Sequence, residues 1–269
     1  MRPKILVFSG YGFNCEEETK YAFDWVGGKA DIVHINDLIG GDYKLNNYQI
    51  IAFPGGFAYG DDTGSGNAYA LKIKNHLWKD LLSFIKQDKL VIGICNGFQV
   101  LVNLGLLPGF KNEYGIRKIG LMPNKSARYV VRFVDLKVET DKSPWLTGLK
   151  RFSIPVANGE GRLCIARENL KLLIQKKMIA LRYVKGEMCK YLNLPANPNG
   201  SVEDIAGICD ETGRILGLMP HPERAMFFTQ LPNWSLVKEQ YKRIGKEIPK
   251  EGPGMKLFRN SVEYFENKK

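Results

Sequence analysis

The chain has 269 residues, of which 44% are hydrophobic and 25% charged, a composition typical of a globular protein that excludes disordered and fibrous classes. The formal net charge is +11, and residues 111–190 alone carry an excess of that size. Such a concentration of positive charge is compatible with a partner surface as well as with an ordinary solvated face.

The first half of the chain alternates predicted strands with predicted helices. Short runs rich in β-branched residues predict strands at 5–8, 31–35, 50–53 and 90–94. Helical patterns lie between and after them, at about 16–26, 68–87 and 97–106. This alternation predicts an α/β fold with four parallel strands, in a sheet covered by helices on both faces.

Three features of the sequence bear on location and on bound metal. Residues 90–110 carry no charge, but amides, glycines and a proline interrupt them, so we expect a buried strand and helix and no membrane span. The first apolar run, residues 5–8, is too short for a secretory signal. The five cysteines include no C-x-x-C pair. We therefore expect a cytoplasmic protein without a disulfide framework or a bound metal.

The second half is richer in predicted strands. They lie at 129–138, 152–156, 163–166, 179–183, 204–209 and 215–219. Because no Gly/Ser/Pro linker separates the halves, we expect one domain over residues 1–269, with an antiparallel extension of the parallel sheet. The tail, 229–269, contains helical patterns at about 234–246 and 255–265. In the basic segment 111–190, charges alternate with apolar residues, which favours a solvated strand face over a partner surface, and either over nucleic acid.

Cys95 is the sharpest local signal for chemistry. It lies in Gly93-Ile-Cys-Asn-Gly97, between a predicted buried strand and a predicted helix. Flanking glycines let the backbone form the tight turn of a nucleophile elbow, and the helix N-terminus favours a thiolate. We interpret Cys95 as a nucleophile, whereas most cysteines are small buried hydrophobes.

A nucleophilic cysteine needs a base, and His221 is the best placed of three histidines. It follows the strand pattern 215–219 directly and lies between two prolines. Open sheets place their active sites at the carboxyl ends of such strands. In an extended segment Glu223, two residues on, projects to the same side and can orient the imidazole. Cys95, His221 and Glu223 therefore form a plausible triad.

An acyl-transfer site also needs donors for an oxyanion. Gly55 and Gly56 follow the third predicted strand, whose carboxyl end neighbours that of the strand before Cys95. Their backbone amides, with that of Asn96, are our candidates for the oxyanion hole. No Gly-Lys-Ser/Thr loop or complete dinucleotide fingerprint occurs, so we expect no nucleotide site or other cofactor in this chain.

Three elements together resemble the signatures of class I glutamine amidotransferases, which have a flavodoxin-like fold. They are Gly93-Ile-Cys-Asn-Gly-Phe-Gln99, Pro54-Gly-Gly-Phe57 and Met219-Pro-His-Pro-Glu-Arg224. The segments Gly12-Phe-Asn-Cys-Glu16, Phe57-Ala-Tyr-Gly-Asp61, Asn158-Gly-Glu-Gly161 and Lys256-Leu-Phe-Arg-Asn-Ser-Val262 resemble one branch, the glutaminase subunits of phosphoribosylformylglycinamidine synthase.

This resemblance implies an activity and partners. The chain would hydrolyse L-glutamine to glutamate and ammonia, with Gln99 contacting the bound glutamine. Ammonia would pass to a large ATP-dependent synthase subunit of purine biosynthesis, which binds ATP and magnesium, and a small third subunit would assist. Two alternatives remain open: a DJ-1/PfpI-like redox or aldehyde-handling cysteine protein, and a docking subunit without catalysis.

Overall fold

A computed structural model describes residues 2–266 of the chain. Its centre is a nine-stranded sheet with the order β2-β1-β3-β4-β11-β10-β9-β6-β7. The first five of these strands are mutually parallel. They are β2 (Lys29–His34), β1 (Lys4–Ser9), β3 (Ile50–Phe53), β4 (Leu90–Ile94) and β11 (Ile215–Leu218).

The four parallel strands predicted in the first half are confirmed. Every residue of β3 and β4 is buried. That burial explains their nearly continuous apolar character, because helices cover both faces of a parallel sheet. β11 arrives from far along the chain and pairs in parallel with β4. The carboxyl ends of β3, β4 and β11 are therefore neighbours at one edge of the sheet.

The remaining strands form the predicted antiparallel extension. They are β10 (Ile205–Cys209), β9 (Ile179–Val184), β6 (Val130–Val138) and β7 (Arg151–Asn158). The predicted strand at 163–166 forms as β8 (Arg162–Ile165) but leaves this sheet. It pairs with β5 (Ile119–Met122), an unpredicted strand, in a separate two-stranded sheet.

Helices lie between and after the strands. They are α1 (Glu16–Trp25), α2 (Ile35–Gly40), α3 (Asn67–His76), α4 (Trp78–Lys86), α5 (Asn96–Leu104), α6 (Arg167–Gln175), α7 (Glu187–Leu192), α8 (Trp234–Arg243) and α9 (Met255–Glu266). The prediction of a single helix over 68–87 is wrong, because Leu77 separates two helices, α3 and α4. Helices α2, α6 and α7 were not predicted. Among the described residues, no helix combines the length and apolar character needed to cross a bilayer.

The predicted solvated face of β6 is only partly solvated. Asp135 is buried, and its carboxylate accepts hydrogen bonds from the Ser153 hydroxyl and from the Met188 and Cys189 amides of α7. The unpredicted helix α7 therefore covers part of a face that the alternation of charges assigned to solvent.

The tail packs unevenly. Helix α9 lies against the body of the protein, where Asn260 donates hydrogen bonds to the carbonyls of Trp145 and Thr147. Helix α8 has no buried residue. Residues 267–269 of the predicted tail lie outside the described residues.

Candidate active site

Cys95 lies at the junction of β4 and α5 in a strained backbone conformation. Its φ is 51° and its ψ is −105°, and its amide donates to the Leu218 carbonyl of β11 at 2.8 Å. A non-glycine residue rarely adopts positive φ, and such strain is common at nucleophile elbows. The parallel pairing of β4 and β11 thus continues into the turn and holds the Cys95 backbone.

The flanking glycine Gly97 is required by packing. A Cβ on Gly97 would lie 1.9 Å from the Phe53 carbonyl oxygen, far inside van der Waals contact. Helix α5 therefore approaches the end of β3 as closely as a backbone allows. This approach brings Cys95 and the turn after β3 to the same place.

Cys95 is buried, with 6% of the residue exposed, and its sulfur lies 3.6 Å from the Ala157 carbonyl oxygen of β7. The Tyr129 hydroxyl donates to the same carbonyl at 2.9 Å. Tyr129 and the neighbouring Phe57 ring, 6.1 Å away, are both exposed. This aromatic pair therefore forms part of the rim above the nucleophile.

The structure brings His221 and Glu223 into direct contact. The His221 Nδ1 atom lies 2.5 Å from Glu223 Oε1, and the two side chains are 2% and 0% exposed. The contact arises differently from our prediction, because Pro222–Arg224 is a 3-10 turn and not an extended segment. The His221 amide also donates to the Pro155 carbonyl of β7 at 2.7 Å, which anchors the turn.

His221 is also coupled electrostatically to Cys95. Burial alone would lower the pKa of His221, but the charges of Glu223 and Cys95 raise it well above its usual value. Side-chain contacts with Cys15 and Cys95 act in the same direction. The His221 Nε2 atom is buried and has no hydrogen-bond partner among residues 2–266. One imidazole nitrogen is thus held by a carboxylate while the other is available for proton transfer.

Cys15 is a site residue that the sequence interpretation missed. It lies in the loop between β1 and α1, is fully buried, and accepts a hydrogen bond from Arg224 Nη2 at 3.0 Å. One ligand atom from each of Cys15, His221 and Glu223 lies within 4.8 Å of the other two. Because β1 neighbours β3 in the sheet, the position of this loop at the carboxyl edge was the signal that could have located it.

Sulfur, imidazole and carboxylate are donors that zinc accepts, but the existing contacts of these side chains do not fit a metal site. Arg224 already donates to the sulfur, and Glu223 already engages one imidazole nitrogen. A cationic guanidinium on the sulfur opposes a second cation there. We therefore assign no metal to these side chains.

Two of the predicted oxyanion residues, Gly55 and Gly56, pack against the loop before α1. The Gly55 carbonyl accepts from the Asn14 and Cys15 amides, each at 3.1 Å. A Cβ on Gly56 would lie 2.6 Å from both the Gly12 oxygen and the Phe13 Cα. The loop before α1 therefore fixes this glycine pair, and the pair's use as an oxyanion hole stays a prediction.

Asn96 and Gln99, both predicted as site residues, are buried and bonded to each other. Asn96 Nδ2 donates to Gln99 Oε1 at 2.9 Å, and Asn96 Oδ1 accepts from the Ala58 amide at 3.0 Å. Gln99 donates in turn to the Glu160 carbonyl. A cavity of about 270 Å³ lies beside Gln99 and Glu160, along one side of α5. Gln99 thus links the elbow to a polar cavity.

Comparisons with known proteins agree with this geometry. The model of the CobB/CobQ-like glutamine amidotransferase domain matches residues 2–265. The phosphoribosylformylglycinamidine synthase subunit PurQ of Methanococcus maripaludis strain S2 is 49% identical over 98% of this chain and 97% of that protein. The protein of the same name from Dehalococcoides mccartyi is 40% identical over 98% of each.

A solved structure is similar over the same extent. A chain from "Structure of PurLQS from Thermotoga maritima" is 32% identical, with a TM-score of 0.69 over 98% of this chain and 100% of that one. The predicted amidotransferase fold is therefore confirmed. The chain belongs to the CobB/CobQ-like glutamine amidotransferase family.

Proposed function

We propose that this chain is the glutaminase subunit of a phosphoribosylformylglycinamidine synthase, and that residues 1–269 form its single amidotransferase domain. The observation that carries the proposal is that a strained elbow at Cys95 and an imidazole bonded to Glu223 follow the carboxyl ends of β4 and β11, which are adjacent parallel strands. Relatives up to 49% identical have the name of this synthase subunit, and the similarity covers nearly their whole length.

In the proposed reaction, the Cys95 thiolate attacks the side-chain amide carbon of glutamine. The carbonyl oxygen becomes an oxyanion that accepts hydrogen bonds from the backbone amides of Gly55, Gly56 and Asn96. His221 gives a proton to the departing nitrogen, so ammonia leaves and a glutamyl thioester forms. Water then attacks the thioester, His221 accepts its proton, and glutamate is released.

Each remaining site residue has a supporting task. Glu223 stabilises the imidazolium that is present before ammonia leaves and that forms again when water attacks the thioester, which fits the raised pKa of His221. We assign Gln99 to contact with bound glutamine, because it borders the polar cavity beside the elbow.

Ammonia would pass to a large synthase subunit that binds ATP and magnesium and makes the amidine of formylglycinamide ribonucleotide. A small third subunit completes the proposed assembly, which we place in the cytoplasm. The name PurLQS of the similar Thermotoga maritima structure supports such an assembly.

The test is to remove the nucleophile and supply the nitrogen directly. In the assembled complex, Cys95→Ala should lower glutamine-supported synthesis more than about 10³-fold and leave ammonia-supported synthesis unchanged. Cys164→Ala, in β8, is the matched control. Equal loss with both nitrogen sources, or full activity with glutamine, would contradict the proposal and favour a docking role.

A further inference from the structure

Cys15 contacts the catalytic group although the proposed reaction gives it no task. Its sulfur accepts a hydrogen bond from Arg224 Nη2 at 3.0 Å and donates to Asn14 Oδ1 at 3.3 Å. The side chain is 0% exposed. A fully buried thiol bonded to a guanidinium is unusual packing for a cysteine, which is commonly a small hydrophobe.

Because Gly55 has no side chain, the Cys15 sulfur can lie close to the His221 ring. A Cβ there would lie 2.7 Å from His221 Cε1 and 3.1 Å from the Cys15 sulfur. The sulfur and the imidazole therefore border the same gap. The Cys15 amide donates to the Gly55 carbonyl, and the Thr19 hydroxyl donates to the Cys15 carbonyl at 2.6 Å, so the thiol is held in place from both sides.

The second oxygen of Glu223 defines what the thiol could do. Glu223 Oε2 is buried and has no hydrogen-bond partner among residues 2–266. Burial lowers the pKa of the Arg224 guanidinium, whereas the nearby Cys15 and Glu223 raise it. Glu223 is therefore close to Arg224. A guanidinium and a carboxylate favour a two-bond pairing. Here the guanidinium instead donates to sulfur, so the carboxylate remains free to serve the imidazole.

We propose that Cys15 is a positioning residue that holds the Arg224 guanidinium away from Glu223, so that this carboxylate stays committed to His221. The inference rests on the proposed function, because it assigns Cys15 a task in the same catalytic group. Without the sulfur, Arg224 would turn to Glu223 Oε2 and compete with the imidazolium for the carboxylate.

Other ionisable groups near His221 set its protonation together. Glu223 and Arg224 come from the same turn, Cys95 from the elbow, Cys15 from the loop before α1, and Tyr129 from the segment before β6. Glu18 of α1 faces Arg224. Burial raises the pKa of the Cys15 thiol, so the sulfur stays neutral and does not compete for the catalytic proton.

The test measures how readily iodoacetamide alkylates Cys95 as a function of pH, in the full chain and without glutamine. Alkylation requires the thiolate, which the imidazolium stabilises at low pH. Cys15→Ala should move the acid limb of the alkylation profile up by about one pH unit, the size expected for losing one hydrogen bond to a charged group. Cys15→Ser should move it less, because a hydroxyl also accepts from a guanidinium.

A second substitution makes the test specific. In Cys15→Ala, adding Arg224→Met removes the competing guanidinium and should return the profile toward that of the wild type. Cys209→Ala, which removes a buried thiol from β10, is the control that should not move it. An unchanged profile in Cys15→Ala, or no return in the double variant, would overturn the inference. Neither readout needs glutamine turnover, so failure here is distinguishable from failure of the proposed function.

Discussion

The elbow, which we define as residues 90–104, and helix α8 are opposite extremes of packing in one chain. Every elbow residue except Asn103 is buried, and Gly93 has no room for a side chain. No residue of α8 is buried. The candidate nucleophile Cys95 therefore lies in a tightly packed part of the protein, whereas the core does not constrain α8.

The largest expected effect is on folding at the elbow. Gly97→Ala places a Cβ against the Phe53 carbonyl and should destabilise the protein by about 3 kcal/mol or more. This corresponds to a fall in Tm of roughly 6–12 °C, measurable by calorimetry. Gly40→Ala, where the nearest atom lies 3.9 Å from the added Cβ, is the control and should leave Tm nearly unchanged. Similar Tm values for the two variants would refute the packing argument.

The next effect separates activity from stability. Gly55→Ala should push the His221 ring and the Cys15 sulfur apart. We expect glutamine-dependent activity to fall about 10²-fold, the effect of displacing a catalytic group by about 1 Å. Ammonia-dependent activity of the complex should stay constant. A variant that loses both activities equally would indicate damage to the complex and not to the catalytic group.

Selective alkylation distinguishes the elbow cysteine from the others. Burial raises the pKa of Cys209 to about 12 and raises that of Cys15, so both are thiols near neutral pH and should react slowly. Cys95, beside the protonated imidazole, should take up iodoacetamide first at pH 7.5. Peptide mapping by mass spectrometry reads the order, and faster labelling at any other cysteine would contradict the assigned nucleophile.

The smallest effect belongs to α8. Leu236 is 52% exposed, so Leu236→Ser should change the free energy of unfolding by less than about 0.5 kcal/mol. Urea unfolding measures this, and glutamine hydrolysis in the complex should be unaltered. A loss of several kcal/mol would show that α8 is as constrained as the elbow.

Much of the fold was predictable from the sequence because its signals are local. Each parallel strand is a short apolar run between turn residues, and both faces of such a strand are buried. The break at Leu77 was not predictable in this way. The buried residues Ile73, Leu77 and Leu81 keep helical spacing across it, so the pattern is the same for one long helix and for two short ones.

The sequence by itself determined the parallel half of the sheet, the glycine-flanked turn at Cys95, and the proximity in the chain of His221 and Glu223, because each depends on neighbours a few positions away. Only the tertiary structure decided that Cys15 lies beside His221 and that Arg224 binds its sulfur. It also decided that β5 and β8 form a sheet of their own. These contacts join segments distant in the chain. The residue pattern of one segment does not show which distant segment it will contact.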